Sequence, residues 1–140
     1  MKVTVSVDVA RPPAEVFDLM ADSRNEPKWN NQVSKTELLT GEPIGEGTAF
    51  TTVNRGQTYR AVIKDYRRPE QLTFDVTGKP MDIIGRLTFT DLGGSTRMAG
   101  EFDFQPKGVM KLMLPLLAPS IRKDFPNQFA NFKKLCEAQG

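Results

Sequence analysis

The stretch EFDFQPKGVMKLMLPLL, Glu101 to Leu117, changes its period halfway, and that change decides the fold. Before Pro106 the apolar residues Phe102 and Phe104 alternate with Glu101 and Asp103, the period of a strand with one buried face. After Lys107-Gly108 the apolar positions fall three and four apart: Met110, Met113 or Leu114, Leu117 and Ile121. Phe125, Phe129, Phe132 and Cys136 continue the stripe toward the C-terminus, as one helical face. A helix of about thirty residues is about 45 Å long, enough to cross a whole domain. A proline inside a helix costs about 3 kcal/mol and kinks it. The segment through Pro115 and Pro119, and on to Pro126, is therefore not expected to be one straight rod.

Upstream, Val3, Val5, Val7 and Val9 alternate with polar residues, which predicts an opening strand. Arg11-Pro12-Pro13 ends it. Pro13 suits a first helical turn, and Val16, Phe17 and Met20 follow at helical spacing up to about Ala21–Asp22. SRNEPKWN reads as a second short helix or a tight loop, and it carries Trp29, the chain's one tryptophan. From Val33 to Pro106 the pattern is strand-like with recurrent turn signals, as in an antiparallel meander. VSKTELLT is one strand, and TAFTTVN and QTYRAVIKDY pair across Asn54-Arg55-Gly56. LTFDVTG, GRLTFTDL and STRMAGEFDFQP complete the set.

The chain has 140 residues, the length of one domain. Hydrophobic residues at 39% and charged residues at 26% give a globular balance. A net charge of +2 with scattered basic residues leaves no nucleic-acid footprint. There is no histidine, which removes the commonest general base and every Ser-His or Cys-His arrangement. A lone cysteine, Cys136, permits no internal disulfide and reads as a buried, inert thiol. Neither a metal site nor a phosphate-binding glycine loop is present in the pattern: GEPIGEG leads into a strand, not a helix. No apolar run reaches the roughly 20 residues of a membrane span. A cytoplasmic protein without a cofactor is expected, and a homodimer is left open.

Three phrases, in this order and spacing, carry a family resemblance. VDVARPPAEVFDLMAD (Val7–Asp22) followed by KWN (Lys28–Asn30) is the first, and GEGTAF (Gly45–Phe50) the second. DYRRPEQLTF (Asp65–Phe74) leading to LTFTDLGGSTRM (Leu87–Met98) is the third. The chain resembles the START-like superfamily and, within it, the SRPBCC family of polyketide cyclases/dehydrases and lipid-transport proteins. The resemblance covers nearly the whole chain. It implies an α+β helix-grip fold over residues 1–140: a curved antiparallel seven-stranded sheet, with two short helices, wrapped around a long C-terminal helix. It further implies an apolar cavity between sheet and helix that takes lipids, sterols, hormones or polyketides. Some members are cyclases or hydrolases, and many bind without chemistry, so the fold does not fix the function.

A small hydrophobic molecule is the expected partner. Alternation on the strands predicts a pocket lined by Phe50, Tyr59, Ile63, Leu72, Phe74, Leu87, Phe89, Met98 and Phe102. Trp29 would stack at its rim or anchor the short helices. Met110, Met113, Leu117 and Ile121 would close it from the helix side. The greasy, proline-broken stretch Gly108–Ile121 admits three readings: a mobile wall over the mouth, plain core before a shorter helix, or an exposed contact patch. Glu101, Asp103, Arg97 and Arg86 are expected on the outer face, paired across strands. In the alternative reading, a cyclase- or dehydrase-like enzyme, Tyr59 and Arg86 would supply polar groups to a folded polyketide-like chain. A further alternative is a module that binds a larger protein.

Overall fold

A computed structural model describes residues 1–139. The opening valines form β1 (Lys2–Val9), and Pro13 begins α1 (Pro13–Ala21) at its first turn. SRNEPK forms a short 3-10 helix, η1 (Ser23–Lys28), capped by the Asp22 carboxylate, which accepts from the Arg24 backbone N–H at 3.0 Å. Six strands follow: β2 (Val33–Leu38), β3 (Ala49–Asn54), β4 (Gln57–Arg67), β5 (Gln71–Gly78), β6 (Met81–Asp91) and β7 (Thr96–Pro106). The β3–β4 turn falls at Arg55-Gly56, both with positive φ (50° and 78°), the twist that a two-residue hairpin demands. β6 starts at Met81, four residues before the GRLTFTDL phrase.

The seven strands form one antiparallel sheet in the order β1-β7-β6-β5-β4-β3-β2. β1 and β2 are neighbours in sequence but lie at opposite edges. The chain between them, α1 and η1, therefore has to cross the width of the sheet, and it does so over one face. Phe17 of α1 is fully buried there, with its ring centroid 5.2 Å from Phe89 and 5.1 Å from Tyr66. The crossing is pinned at Thr96, where the buried hydroxyl donates to the Arg11 carbonyl at 2.8 Å. Thr96→Val leaves that carbonyl without its partner and should lower stability by about 1–2 kcal/mol, read from urea midpoints.

α2 (Met110–Ala138) is one continuous helix, 29 residues long, with Pro115, Pro119 and Pro126 inside it. The long C-terminal helix forms as expected, and the prolines do not interrupt it. All three prolines are exposed, and so are Lys111, Pro115 and Arg122, whose carbonyls lose a helical donor. On a helix side turned to solvent, water is the available partner for carbonyls freed in this way. The inner side keeps Leu114, Ile121, Phe129, Phe132 and Cys136 buried. The fold is the α+β helix-grip arrangement that the sequence implies.

Candidate functional site

α2 packs chiefly against β1, near one edge of the sheet. The middle of the concave face, over β4 to β7, is left under-covered. A cavity of about 770 Å³ opens there. Its floor is the inward face of the central strands: Tyr59 and Ala61, Phe74 and Val76, Ile83 and Leu87, Phe102 and Phe104. Its roof is α2, through Met110, Leu117, Ile121, Phe125 and Phe129. Phe74, Val76, Ile83 and Phe102 lie mid-sheet yet are only partly buried, because the chamber reaches them.

Two glycines shape the floor. A Cβ on Gly85 would come 3.0 Å from the Phe102 ring, and one on Gly100 would come 2.8 Å from it. Their bare backbone lets that ring lie over the strands, where Phe125 packs on it at 5.0 Å between centroids. Gly78 does the same for Tyr59, its partner across β4 and β5. A Cβ there would overlap the Tyr59 ring at Cδ1. Gly78→Ala must therefore push the phenol ring into the chamber. It should lower stability by about 1–2 kcal/mol and weaken uptake of a fluorescent apolar probe.

Exposed residues mark the rim: Arg55 and Gln57 on the hairpin, Lys79 in the β5–β6 turn, and Lys107, Gly108 and Val109 before α2. Two polar ties lie along it. Arg55 Nη2 lies 3.7 Å from Asp124 Oδ2 on α2. Lys107 Nζ lies 2.7 Å from Asp82 Oδ1 and donates to the Gly78 carbonyl at 3.0 Å.

Toward η1 and the β3–β4 hairpin the lining turns polar. It is built by η1, by the tip of the β3–β4 hairpin and by the middle of α2. Gln128 is buried; its Nε2 donates to Asn31 Oδ1 at 2.6 Å and to Asp124 Oδ1 at 3.2 Å. Its Oε1 accepts from the Asn31 N–H at 3.1 Å, so this side chain clamps the η1–β2 loop onto α2. Trp29 lines the cavity and stands edge-on to Phe129 and Phe132, at 5.8 and 5.4 Å. Beside it lies Glu26, half-buried on the cavity wall. Burial pushes its carboxyl up to about 7, against a single opposing hydrogen bond from Asn30. Burial likewise raises the Tyr59 phenol and pushes the Cys136 thiol up to about 12.

Of the residues expected at the pocket, Trp29, Tyr59, Phe74, Leu87, Phe102, Met110, Leu117 and Ile121 line the cavity. Phe50, Ile63, Leu72, Phe89 and Met98 do not, and this is a correction. They point to the same face, but they lie in the solid core with Val9, Val16, Phe17 and Cys136, the part of the concave surface that α1 and the C-terminal half of α2 fill. Alternation assigns a face; it carries no information about which part of that face another element covers. Met113 is also corrected. It is 42% exposed, because Leu114 takes the inward phase at that turn. Val109, Leu112 and Leu116 face solvent as well, so the Gly108–Ile121 stretch is half roof and half exposed apolar surface. Arg86 is exposed on the convex face, opposite Glu101, and cannot reach the chamber. Arg97 pairs with Asp8 on that face at 2.8 Å, as expected of the outward set.

Glu26, Asp124 and Gln128 were missed. Gln128 was legible as a polar residue beside Phe129 on an apolar helix stripe. Glu26 was legible only if SRNEPK were read as a 3-10 helix, where residues three apart share a face and Ser23, Glu26 and Trp29 come together. Among the described residues no group of three or more His, Cys, Asp or Glu could hold a metal ion. No helix among them is long and apolar enough to cross a membrane.

No curated protein matches the chain. Solved structures do. The chain is similar to TTHA0849 from Thermus thermophilus, with 17% identity, a TM-score of 0.79, and 100% of this chain and 99% of that one covered. A START superfamily protein from Mycobacterium smegmatis is 19% identical, with a TM-score of 0.69 over 99% of this chain and 95% of its own. The di-domain ARO/CYC BexL is 14% identical, with a TM-score of 0.72; the match covers 98% of this chain and 50% of BexL. At these identities the likeness establishes the fold, which is shared by proteins of different activity. A hollow helix-grip shell is thus joined to a match of residues 1–137 with the family described as polyketide cyclase / dehydrase and lipid transport, and the chain belongs to that family.

Proposed function

We propose that the chain binds a small, largely apolar molecule, such as a lipid, a sterol or a polyketide-like compound, inside this cavity. The observation that carries the reading is the chamber of about 770 Å³ with its aromatic and aliphatic walls. That volume lies in the range of small-molecule sites. Burial of a ligand's apolar surface at about 25 cal/mol per Å² supplies micromolar affinity with few polar contacts. The residues that hold the ligand are Trp29, Tyr59, Phe74, Leu87 and Phe102 from below and Met110, Leu117 and Ile121 from above. The test is a panel of fatty acids, sterols and aromatic polyketides, read by melting temperature and native mass spectrometry. A one-to-one complex with raised melting temperature supports the reading. A chain that takes up none of them overturns it.

A second reading, a cyclase- or dehydrase-like enzyme, is favoured by two titratable groups on the cavity wall, the Glu26 carboxyl and the Tyr59 hydroxyl. A carboxyl poised near neutrality suits proton transfer. Conversion of a polyketide-like chain that is lost in Glu26→Gln and Tyr59→Phe, with binding retained, would favour this reading over simple carriage.

A further inference from the structure

The 3-10 geometry of η1 sorts its side chains. Ser23, Glu26 and Trp29 face the chamber, while Arg24, Pro27 and Lys28 are exposed. Both cations of this segment are engaged elsewhere. Arg24 forks onto Asp22 at 2.8 Å and Glu42 at 2.9 Å, and Lys28 donates to Asn25 at 3.2 Å. The Glu26 carboxylate accepts one hydrogen bond, at 3.4 Å from Asn30 Nδ2. Neither other charged group of this end serves it: Arg55 sits with Asp124, and Asp22 is held by Arg24. On β2, which packs against η1, Lys35 and Glu37 are exposed. Tyr59 offers a neutral hydroxyl, and Lys79 and Lys107 stand at the rim. A partly buried carboxyl thus lines the chamber, and among the described residues no cation pairs with it.

We infer that the chamber selects hydrophobic amines: ligands with an apolar body and a protonated amino head that pairs with Glu26. The inference rests on the reading of the cavity as a ligand site. Its logic is a difference between ligands rather than the strength of one ion pair. A neutral ligand that seals the chamber leaves an ionised Glu26 desolvated and unpaired, a state that is costly. An ammonium head removes that penalty by supplying the missing partner. A fatty carboxylate adds a second negative charge and is disfavoured. Binding also moves a proton. Below the pH at which the empty site ionises, the Glu26 carboxylic acid gives up its proton to solvent as the ammonium enters, leaving a carboxylate–ammonium pair; no other bond changes.

The experiment uses three probes with one chain length, dodecylamine, dodecanol and dodecanoic acid, on wild type and Glu26→Gln. Isothermal calorimetry in buffers of differing ionisation enthalpy counts the protons released. Near pH 6 most of a proton should leave per dodecylamine bound to wild type, falling to nearly none at pH 8.5. At pH 8.5 dodecylamine should bind at least tenfold more tightly than dodecanol to wild type, and that preference should vanish in the variant. Equal affinity for amine and alcohol, or a proton released by wild type at pH 8.5, which would mean that the amine enters uncharged, would overturn the inference and leave the cavity reading intact. If none of the three probes binds, the cavity reading fails with it.

Discussion

Glu26→Gln should make the empty protein more stable at pH 8 by about 2–3 kcal/mol, or roughly 10 °C in melting temperature. The folded chain holds the Glu26 proton up to about 7, against 4.5 for an ordinary glutamate. Between those two values the folded state is protonated while the unfolded state has released its proton. Stability therefore falls as pH rises through that window, and the penalty is complete above it. Other carboxylates work in the opposite sense. Asp8, with its hydrogen bond to Arg97, Asp22 beside Arg24, and Glu137 beside Lys133 are held below their ordinary values. Their contributions are present above the unfolded pKa and are lost as pH falls. The difference between wild type and Glu26→Gln removes them. Chemical denaturation at half-unit steps from pH 4 to 8.5 should give a gap that is near zero at pH 4, opens through pH 5 and 6, and is flat above pH 7.5. A gap independent of pH would mean that Glu26 ionises normally.

Leu117→Trp should lower the affinity for a long-chain ligand by roughly fiftyfold while changing stability by less than about 1 kcal/mol. Leu117 lines the roof and is only partly buried. An indole there grows into space that already exists, so it meets none of the strain that follows overpacking of a solid core. It displaces about three methylenes of the ligand, at about 0.8 kcal/mol each. Met113→Trp is the contrast: the side chain stands outside, 42% exposed, and should change neither affinity nor stability. Paired loss of binding and stability in Leu117→Trp would show that the roof is packed solid at that point.

Much of the fold was legible because it is written in periods. The valines of β1, the Pro13 start of α1, the Arg55-Gly56 turn and the change of period at Pro106 each have a local cause, and each forms as read. That the prolines would not interrupt α2 was not legible. Proline's cost to a helix is a local rule, whereas three exposed prolines let water satisfy the freed carbonyls and the buried stripe hold the helix together. The site was half legible for a similar reason. Leu87 and Phe89 have the same parity on one strand, yet one borders the chamber and the other packs against Phe17.

By itself, then, the sequence determined which residues turn inward and in what order strands and helices follow. Both are properties of backbone geometry repeated every two or 3.6 residues. Only the tertiary structure decided where the inside is empty. That depends on α1 filling one end of the concave face while α2 leans toward β1, and on η1 turning Glu26 into the gap that remains. A void is set by the distance between elements far apart in the chain, and no local pattern encodes that distance.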